Sequence, residues 1–229
     1  MKLKKKSGLI SAVIALSCAS IVSVGFASWV ISQGDTKTAT GTIYVDEVST
    51  KAHTITATWV ASDSLSAAAL DSQTPVVSYG PKDHDSTGWL KNNDGTLEAL
   101  TFYLKVNVAN IASEAEYTSK LSVTMTADAG YATAASANLV GSLPALNATA
   151  GNGVGTIVKG TGAAGASDSW EAVYTISFKW GSVFNYQNPE DFYADKSAAD
   201  YASHAQEKLQ ALNDALDGVG FTLTLVAAE

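Results

Sequence analysis

In the stretch WEAVYTISFKW, residues 170–180, apolar side chains alternate with more polar ones. Alternating residues of a strand point to opposite faces, so such a stretch has one apolar face. That face carries Ala172, Tyr174, Ile176, Phe178 and Trp180. Period-two alternation is typical of antiparallel sheets that bury one face and expose the other. The stretch therefore predicts a strand with one buried face.

Five more segments share this alternation and are rich in residues that favour strands. They are Thr42–Val48, Thr54–Val60, Leu100–Val108, Lys120–Thr126 and Gly220–Val226. A short strand is also expected at 155–159, within the Gly- and Ala-rich stretch 147–169, which otherwise indicates a loop. No second core pattern is separable. Residues 41–229 are therefore predicted to form one all-β domain, a jelly-roll-like antiparallel β-sandwich.

One helix is predicted over residues 197–217, directly before the last strand. Ser197 and Asp200 have the spacing of a capping box, and Gly218 ends the apolar pattern. The residues on the apolar face are Tyr201, Ala205, Leu209, Leu212 and Leu216. A helix at this point of an all-β chain must cover the sheets or close one end of them.

Charge and cysteine content exclude some classes of protein. The formal net charge is -8 and the chain has no arginine, the side chain best suited to bidentate contacts with phosphates and bases, so nucleic acid is not expected as a partner. Cys18 is the only cysteine. A hydrophobic core, and not a disulfide framework, must therefore stabilise the fold.

The N-terminus has the layout of an export signal. Lysines at positions 2, 4, 5 and 6 precede an uncharged apolar run over residues 9–31, with Gly25 and Ala27 at the -3 and -1 positions of a signal peptidase site. Cleavage after Ala27 would remove four lysines and no acid, which takes the formal charge from -8 to -12. The alternative is an uncleaved anchor, since the 23 residues of the run span about 35 Å as a helix.

This region resembles the secreted TasA and camelysin family of Gram-positive bacteria, whose members are exported through a SipW-type signal peptidase. The resemblance covers residues 2–48: the lysine-rich start, the apolar run, Trp29 after the cleavage point, and ATGTI (39–43) leading into a strand. FYLKVNVANIASEAEYTSKLSVTMTAD, residues 102–128, looks like the family's strand, loop and strand unit. The resemblance implies a jelly-roll β-sandwich and biofilm matrix fibres, in which the N-terminal segment of one subunit completes the sheet of the next.

Residues 28–40, the mature N-terminal segment, are expected to be flexible or to act as such a donor strand. Trp29 and Ile31 alternate with Val30 and Ser32 as they would in a strand. Added to an open sheet edge, the segment would supply main-chain hydrogen bonds and two apolar side chains. Trp29 and Ile31 are therefore the predicted assembly residues.

An aromatic loop over residues 180–193 supports a rival hypothesis. If Trp180, Phe184 and Tyr186 are exposed, they would suit a secreted carbohydrate-binding module or a hydrolase, because aromatic rings stack on sugars. If they are buried, they dock the helix on the sheets instead. Their exposure discriminates between these hypotheses.

A calcium loop is a further candidate. In DHDSTGWLKNND, residues 83–94, the ligand positions of an EF-hand-like loop fall on Asp83, Asp85, Thr87 and Asp94, with Gly88 at the turn. The flanking segments look extended and Lys91 adds a positive charge, so an acidic hairpin loop is the alternative. No other cofactor is predicted.

Motifs of catalysis are missing from the sequence. It contains neither an HExxH helix nor a Gly-x-Ser-x-Gly elbow, and its histidines are His53, His84 and His204. We therefore expect no enzyme, but an exported structural or matrix protein of the bacterial cell surface. Its expected partners are further copies of itself, the signal peptidase during export, and cell-wall or matrix polysaccharide. A monomeric, tethered surface protein is the third hypothesis.

We predict cleavage between Ala27 and Ser28, because the small residues Gly25 and Ala27 occupy the -3 and -1 positions of a signal peptidase site within the uncharged run. Intact-mass measurement of the exported protein tests this prediction. A mass that retains residues 1–27 would contradict it and make the segment an anchor.

We also predict that millimolar calcium raises the melting temperature through Asp83, Asp85 and Asp94, because a ligand that binds only the native state stabilises it by mass action. Thermal melting in calcium and in chelator measures the effect. Equal melting temperatures would eliminate the site.

Overall fold

The computed structural model describes residues 39–48, 53–70, 73–80, 90–91, 96–147, 153–160, 168–194 and 205–228. The strands in these ranges are β1 (Ala39–Val48), β2 (Thr54–Val60), β3 (Thr74–Tyr79), β4 (Leu90–Lys91), β5 (Thr96–Ala99), β6 (Thr101–Ala109), β7 (Leu121–Ala127), β8 (Val158–Lys159), β9 (Ser169–Ser177) and β10 (Phe221–Ala227). The α-helices are α1 (Glu114–Lys120), α2 (Ala129–Ser136), α3 (Pro189–Tyr193) and α4 (Gln206–Leu216).

The strands form two sheets, which confirms the mostly-β class. One sheet has six strands in the order β4-β5-β3-β1-β10-β7, and the other has four in the order β2-β6-β9-β8. The four-stranded sheet is antiparallel throughout, as predicted. The six-stranded sheet is mixed, because β1 lies parallel to β10 and β3 lies parallel to β5. The antiparallel prediction is wrong for these two pairs.

Alternating side chains of both sheets share one hydrophobic core. Burial alternates residue by residue along β6 and along β10. The apolar face predicted for residues 170–180 is confirmed, since all five of its residues are at most 4% exposed. The hydrogen-bonded strand ends at Ser177, three residues earlier than predicted, yet Phe178 and Trp180 keep the same inward direction.

Strand β1 changes partners half way along its length. Residues 39–42 pair with β3, and residues 43–48 pair with β10. Pairing with β3 stops where Thr42 lies opposite Val76, and the next residue of β3 is Pro75, which has no N–H to donate. Because Ala39 and Thr40 already belong to this strand, the sheet begins two residues before the predicted domain boundary at residue 41.

Three helices were not expected from the sequence. Helix α1 interrupts what resembled a plain strand, loop and strand unit. Its N-cap is Ser113, whose Oγ accepts a hydrogen bond from the Glu116 N–H at 3.2 Å, while the Glu116 carboxylate accepts one from the Ala112 N–H at 2.8 Å. Ser113 and Glu116 therefore form a capping-box type of N-terminus that the sequence already contains. Helices α2 and α3 have eight and five residues, too few for a clear apolar period.

Helix α4 confirms the predicted helix over residues 206–216, whereas positions 197–204 lie outside the described residues. Its apolar face is buried through Leu209, Leu212 and Leu216, and it packs against α2. Gly130 of α2 makes this approach close, because a Cβ there would collide with the Ala215 carbonyl oxygen and lie 2.8 Å from Val219 Cγ2. Within the described ranges, no helix has the length and apolar character needed to cross a bilayer.

We predict that Gly130→Ala destabilises the protein by about 1–3 kcal/mol, because the added methyl group forces α2 away from α4. Urea denaturation measures the change. Gly155→Ala is the matched control, because its Cβ would have its nearest neighbour, the Val173 oxygen, at 3.4 Å. A Gly130→Ala variant as stable as the control would show that the two helices are not tightly packed.

Candidate functional site

Several residues predicted from the sequence lie outside the described part of the chain. These are the assembly residues Trp29 and Ile31 and the calcium-loop residues Asp83, Asp85, Thr87 and Asp94. Of the predicted loop, the structure describes only the two residues of β4, which pair with β5. Among the described residues, no cluster of three or more His, Cys, Asp or Glu side chains is suited to holding a metal ion. Both predictions therefore stay predictions.

The aromatic loop divides into buried and exposed residues. Trp180 is 4% exposed and Phe184 is fully buried, whereas Tyr186 is 69% exposed. The exposure that the carbohydrate-binding hypothesis requires is absent at Trp180 and Phe184, because a buried ring offers no face to a ligand. These two rings fit the alternative, in which the aromatic residues are buried. Only Tyr186 remains as a candidate ligand aromatic of this set.

Buried rings hold the loop against the core. The Trp180 ring makes edge-to-face contacts with Tyr79 of β3, at a centroid distance of 5.0 Å, and with Phe184, at 5.5 Å. Phe184 in turn contacts Tyr193 at the end of α3, at 6.5 Å. Such contacts add to the large burial of aromatic surface. Trp180 and Phe184 therefore anchor the loop to the core through their buried rings.

Tyr186 is presented by an unusual turn. Asn185 and Tyr186 have φ angles of 52° and 60°, a left-handed conformation that is uncommon for a bulky side chain. Main-chain hydrogen bonds fix it: the Tyr186 N–H donates to Gly181 O at 3.0 Å, and the Val183 N–H donates to Asn138 O at 3.1 Å. The conformation therefore persists because the surrounding structure determines it, a situation common at ligand sites.

A second candidate is the outer edge of β7, the last strand of the six-stranded sheet. Just beyond the two ends of the β7–β10 ladder, the Asp128 N–H donates to Gly220 O at 3.0 Å and the Ala228 N–H donates to Lys120 O at 2.9 Å. Main-chain groups of successive residues alternate sides in an antiparallel pair, so even-numbered residues of β7 face β10. The residues whose main-chain N–H and C=O groups point outward, away from β10, are Leu121, Val123, Met125 and Ala127.

Most of this outer edge is open. The Leu121 N–H caps α1 by donating to Tyr117 O. Val123, Met125 and Ala127 have no main-chain partner on their outward side anywhere in the described ranges. Natural sheets commonly block such an edge with charged residues, proline or bulges. Residues 121–127, LSVTMTA, contain no charged residue and no proline.

The edge of the four-stranded sheet next to β9 is covered instead. The Gly155 N–H donates to Val173 O at 2.8 Å, the Thr175 N–H donates to Gly153 O at 2.6 Å, and β8 pairs with the start of β9. Residues 153–160 thus run beside β9, where the sequence predicted a loop with one short strand at 155–159. The two sheets therefore differ in how their edges are protected.

Buried tyrosine hydroxyls are structural. The Tyr117 hydroxyl donates to Val106 O at 3.2 Å and lies 3.5 Å from the Tyr174 hydroxyl. Burial raises the pKa of Tyr174 to about 12 and raises the pKa of Tyr117 further. Both hydroxyls therefore stay protonated at alkaline pH values where an exposed tyrosine ionises, and they serve as hydrogen-bond partners inside the core.

No protein-family model matches this chain, and no curated protein or solved structure is significantly similar to it.

Proposed function

We propose that this protein is an exported structural protein of the bacterial cell surface or matrix that assembles by adding the N-terminal segment of one copy to the open edge of the next. The observation that carries the proposal is the outer edge of β7, where Val123, Met125 and Ala127 direct main-chain donors and acceptors outward. An extended segment that pairs there would form a seventh strand of the sheet.

The side chains along this edge suit such a partner. Met125 and Ala127 are only partly buried and pack against the core, so the edge leaves apolar surface uncovered. In a segment that pairs as a strand, Trp29 and Ile31 point to the same side and would cover it. The expected gain is burial of two large apolar side chains, each contributing about 1.5–3 kcal/mol, together with main-chain hydrogen bonds.

The length of the segment is sufficient. Because Ala39 starts β1, residues 28–38 precede the sheet. Residues 28–32 would match the five residues from Val123 to Ala127, and residues 33–38 would form a linker of up to about 20 Å. The start of β1 and the end of β7 lie at the same end of the sheet, since Ile43, Phe221 and Ala127 are aligned across it. The chain thus enters β1 at the end of the sheet where the open edge of β7 finishes.

Export supports the same function. The lysine-rich start, apolar run and Gly25–Ala27 site favour release of a mature chain beginning at Ser28. The resemblance to the TasA and camelysin family favours a jelly-roll β-sandwich and a Gram-positive cell surface or biofilm matrix. A formal charge of -12 after cleavage suits the cation-rich cell wall.

We predict that Thr124→Lys combined with Thr126→Lys abolishes filament formation, because lysines on an edge strand oppose the addition of another strand. Both threonines are exposed, so the free energy of unfolding should change by less than about 0.5 kcal/mol. The matched control is Thr54→Lys with Thr56→Lys, also exposed, on the edge strand of the other sheet. Negative-stain microscopy of the two double variants, together with wild type and the truncation below, measures assembly.

Removal of residues 28–38 separates stability from assembly. The truncated chain is expected to stay folded by circular dichroism and to remain monomeric, and a peptide of residues 28–38 should bind it with a change in Trp29 fluorescence. The same peptide with Trp29→Asp and Ile31→Asp should not bind, because charge would enter an apolar contact. The proposal would be overturned, and the tethered monomer favoured, by any of three results. These are a wild-type chain that forms no filaments, an equal loss of filaments in both double-lysine variants, and a truncated chain that is unfolded.

A further inference from the structure

A groove of about 630 Å³ opens on the outside of the four-stranded sheet, whereas the β7 edge belongs to the six-stranded sheet. It lies beside β9, between two main-chain contacts at the edge of this strand. The Gly141 N–H donates to Lys179 O at 2.7 Å, and Gly153 O accepts from the Thr175 N–H at 2.6 Å. Residues 142–146, which follow the first of these contacts, form one wall of the groove.

The floor of the groove is a gap in main-chain pairing. The Phe178 N–H donates to Leu100 O at 2.8 Å, so even-numbered residues at this end of β9 face β6 and odd-numbered residues face the covered edge. Thr175 and Lys179 have edge partners, but Ser177, between them, has none for its main-chain N–H and C=O among the described residues. A donor and an acceptor therefore point into the groove.

The remaining groups of the groove are an aromatic ring, hydroxyls and one cation. Tyr186 lines one side; its side chain is exposed, and a hydrogen bond from its N–H to Gly181 O holds it in its left-handed turn. Thr175 contributes a hydroxyl and the exposed Lys179 contributes an ammonium group.

The charge of the groove differs from that of the chain. Among the described residues, no acidic side chain lines it, and residues 141–147, GSLPALN, contain no charged residue. In a protein with a formal charge of -8, a groove with one lysine and no carboxylate favours a ligand with a negative charge.

We propose that this groove binds a carboxylate-bearing sugar residue, such as a uronic acid in a polysaccharide. The pyranose ring stacks on Tyr186, its hydroxyls pair with the Ser177 main chain and the Thr175 hydroxyl, and its carboxylate pairs with Lys179. One ammonium group matches the single charge of a carboxylate. A peptide strand fits less well, because main-chain pairing is open at one residue only and is closed by Gly141 and Gly153 on either side.

Calorimetric titration of the full mature chain tests the inference with three probes. These are a tetrasaccharide of alternating glucuronic acid and N-acetylglucosamine, a neutral tetrasaccharide of N-acetylglucosamine, and inorganic phosphate. We expect the acidic tetrasaccharide to bind most tightly. Tyr186→Asn should weaken its binding about tenfold, because the ring is lost while asparagine tolerates the left-handed turn. Tyr186→Phe, which keeps the ring, should bind within about twofold of wild type.

Variants of lysine residues distinguish the contribution of charge to binding from the contribution of ring stacking. Lys179→Gln should reduce binding of the acidic tetrasaccharide to the level of the neutral one. Lys159→Gln is the matched control, since Lys159 is also exposed and lies on β8 of the same sheet. Absence of binding to wild type, equal binding by Tyr186→Asn, or displacement of the tetrasaccharide by phosphate alone would overturn the inference. Melting temperatures close to that of wild type would show that the variants remain folded. None of these outcomes depends on filament formation.

Discussion

The edge-to-face contact between Phe178 and Phe221 joins the two sheets, and much of the structure depends on it. The ring centroids are 4.9 Å apart, and both side chains are at most 3% exposed. Phe178 follows β9 of one sheet, and Phe221 begins β10 of the other. Tyr131 of α2 contacts both rings, at 6.2 Å and 5.4 Å. β1 reaches the same place only because residue 41 is glycine, where a Cβ would collide with the Phe221 ring and the Val219 oxygen.

This contact also determines where the aromatic loop lies. Since Phe178 is anchored in the core, Trp180 continues the inward face and meets Tyr79, and the chain then turns at Gly181. A side chain at residue 181 would collide with the Asn138 carbonyl oxygen, so the turn needs glycine. The buried rings of Phe178 and Trp180 and the turn at Gly181 thus position the exposed Tyr186 beside the groove.

The positions of β6 and β10 were predictable because burial follows local alternation along both strands without interruption, whereas β3, β4 and β5 were not predicted as strands. The parallel pairing of β1 with β10 was not predictable from the sequence, because it joins segments about 180 residues apart and leaves no local pattern. Helix α1 could have been found from Ser113 and Glu116, but its seven residues hold too few apolar positions for a helical period. The exposure of Tyr186 could not be predicted, because two left-handed residues set it. Residue type alone therefore suggested an aromatic site of three rings where the structure leaves one.

The two candidate sites arise from one rule of sheet geometry with different outcomes. In β7 and in β9, the main-chain N–H and C=O groups of the odd-numbered residues point away from the strand with which the even-numbered residues pair. The side chains of these odd-numbered residues all lie on one face of their sheet. Beside β9, a glycine-rich segment approaches closely: Gly153 and Gly155 both pair with the strand, and departure at Gly141 leaves a gap of one residue. A gap of that size suits a single sugar unit. Beside β7 no described segment fills this role, so five residues of edge remain, which is the length that an extended strand requires. Gly141, Gly153 and Gly155 thus cover the edge of β9, whereas no described segment covers the edge of β7.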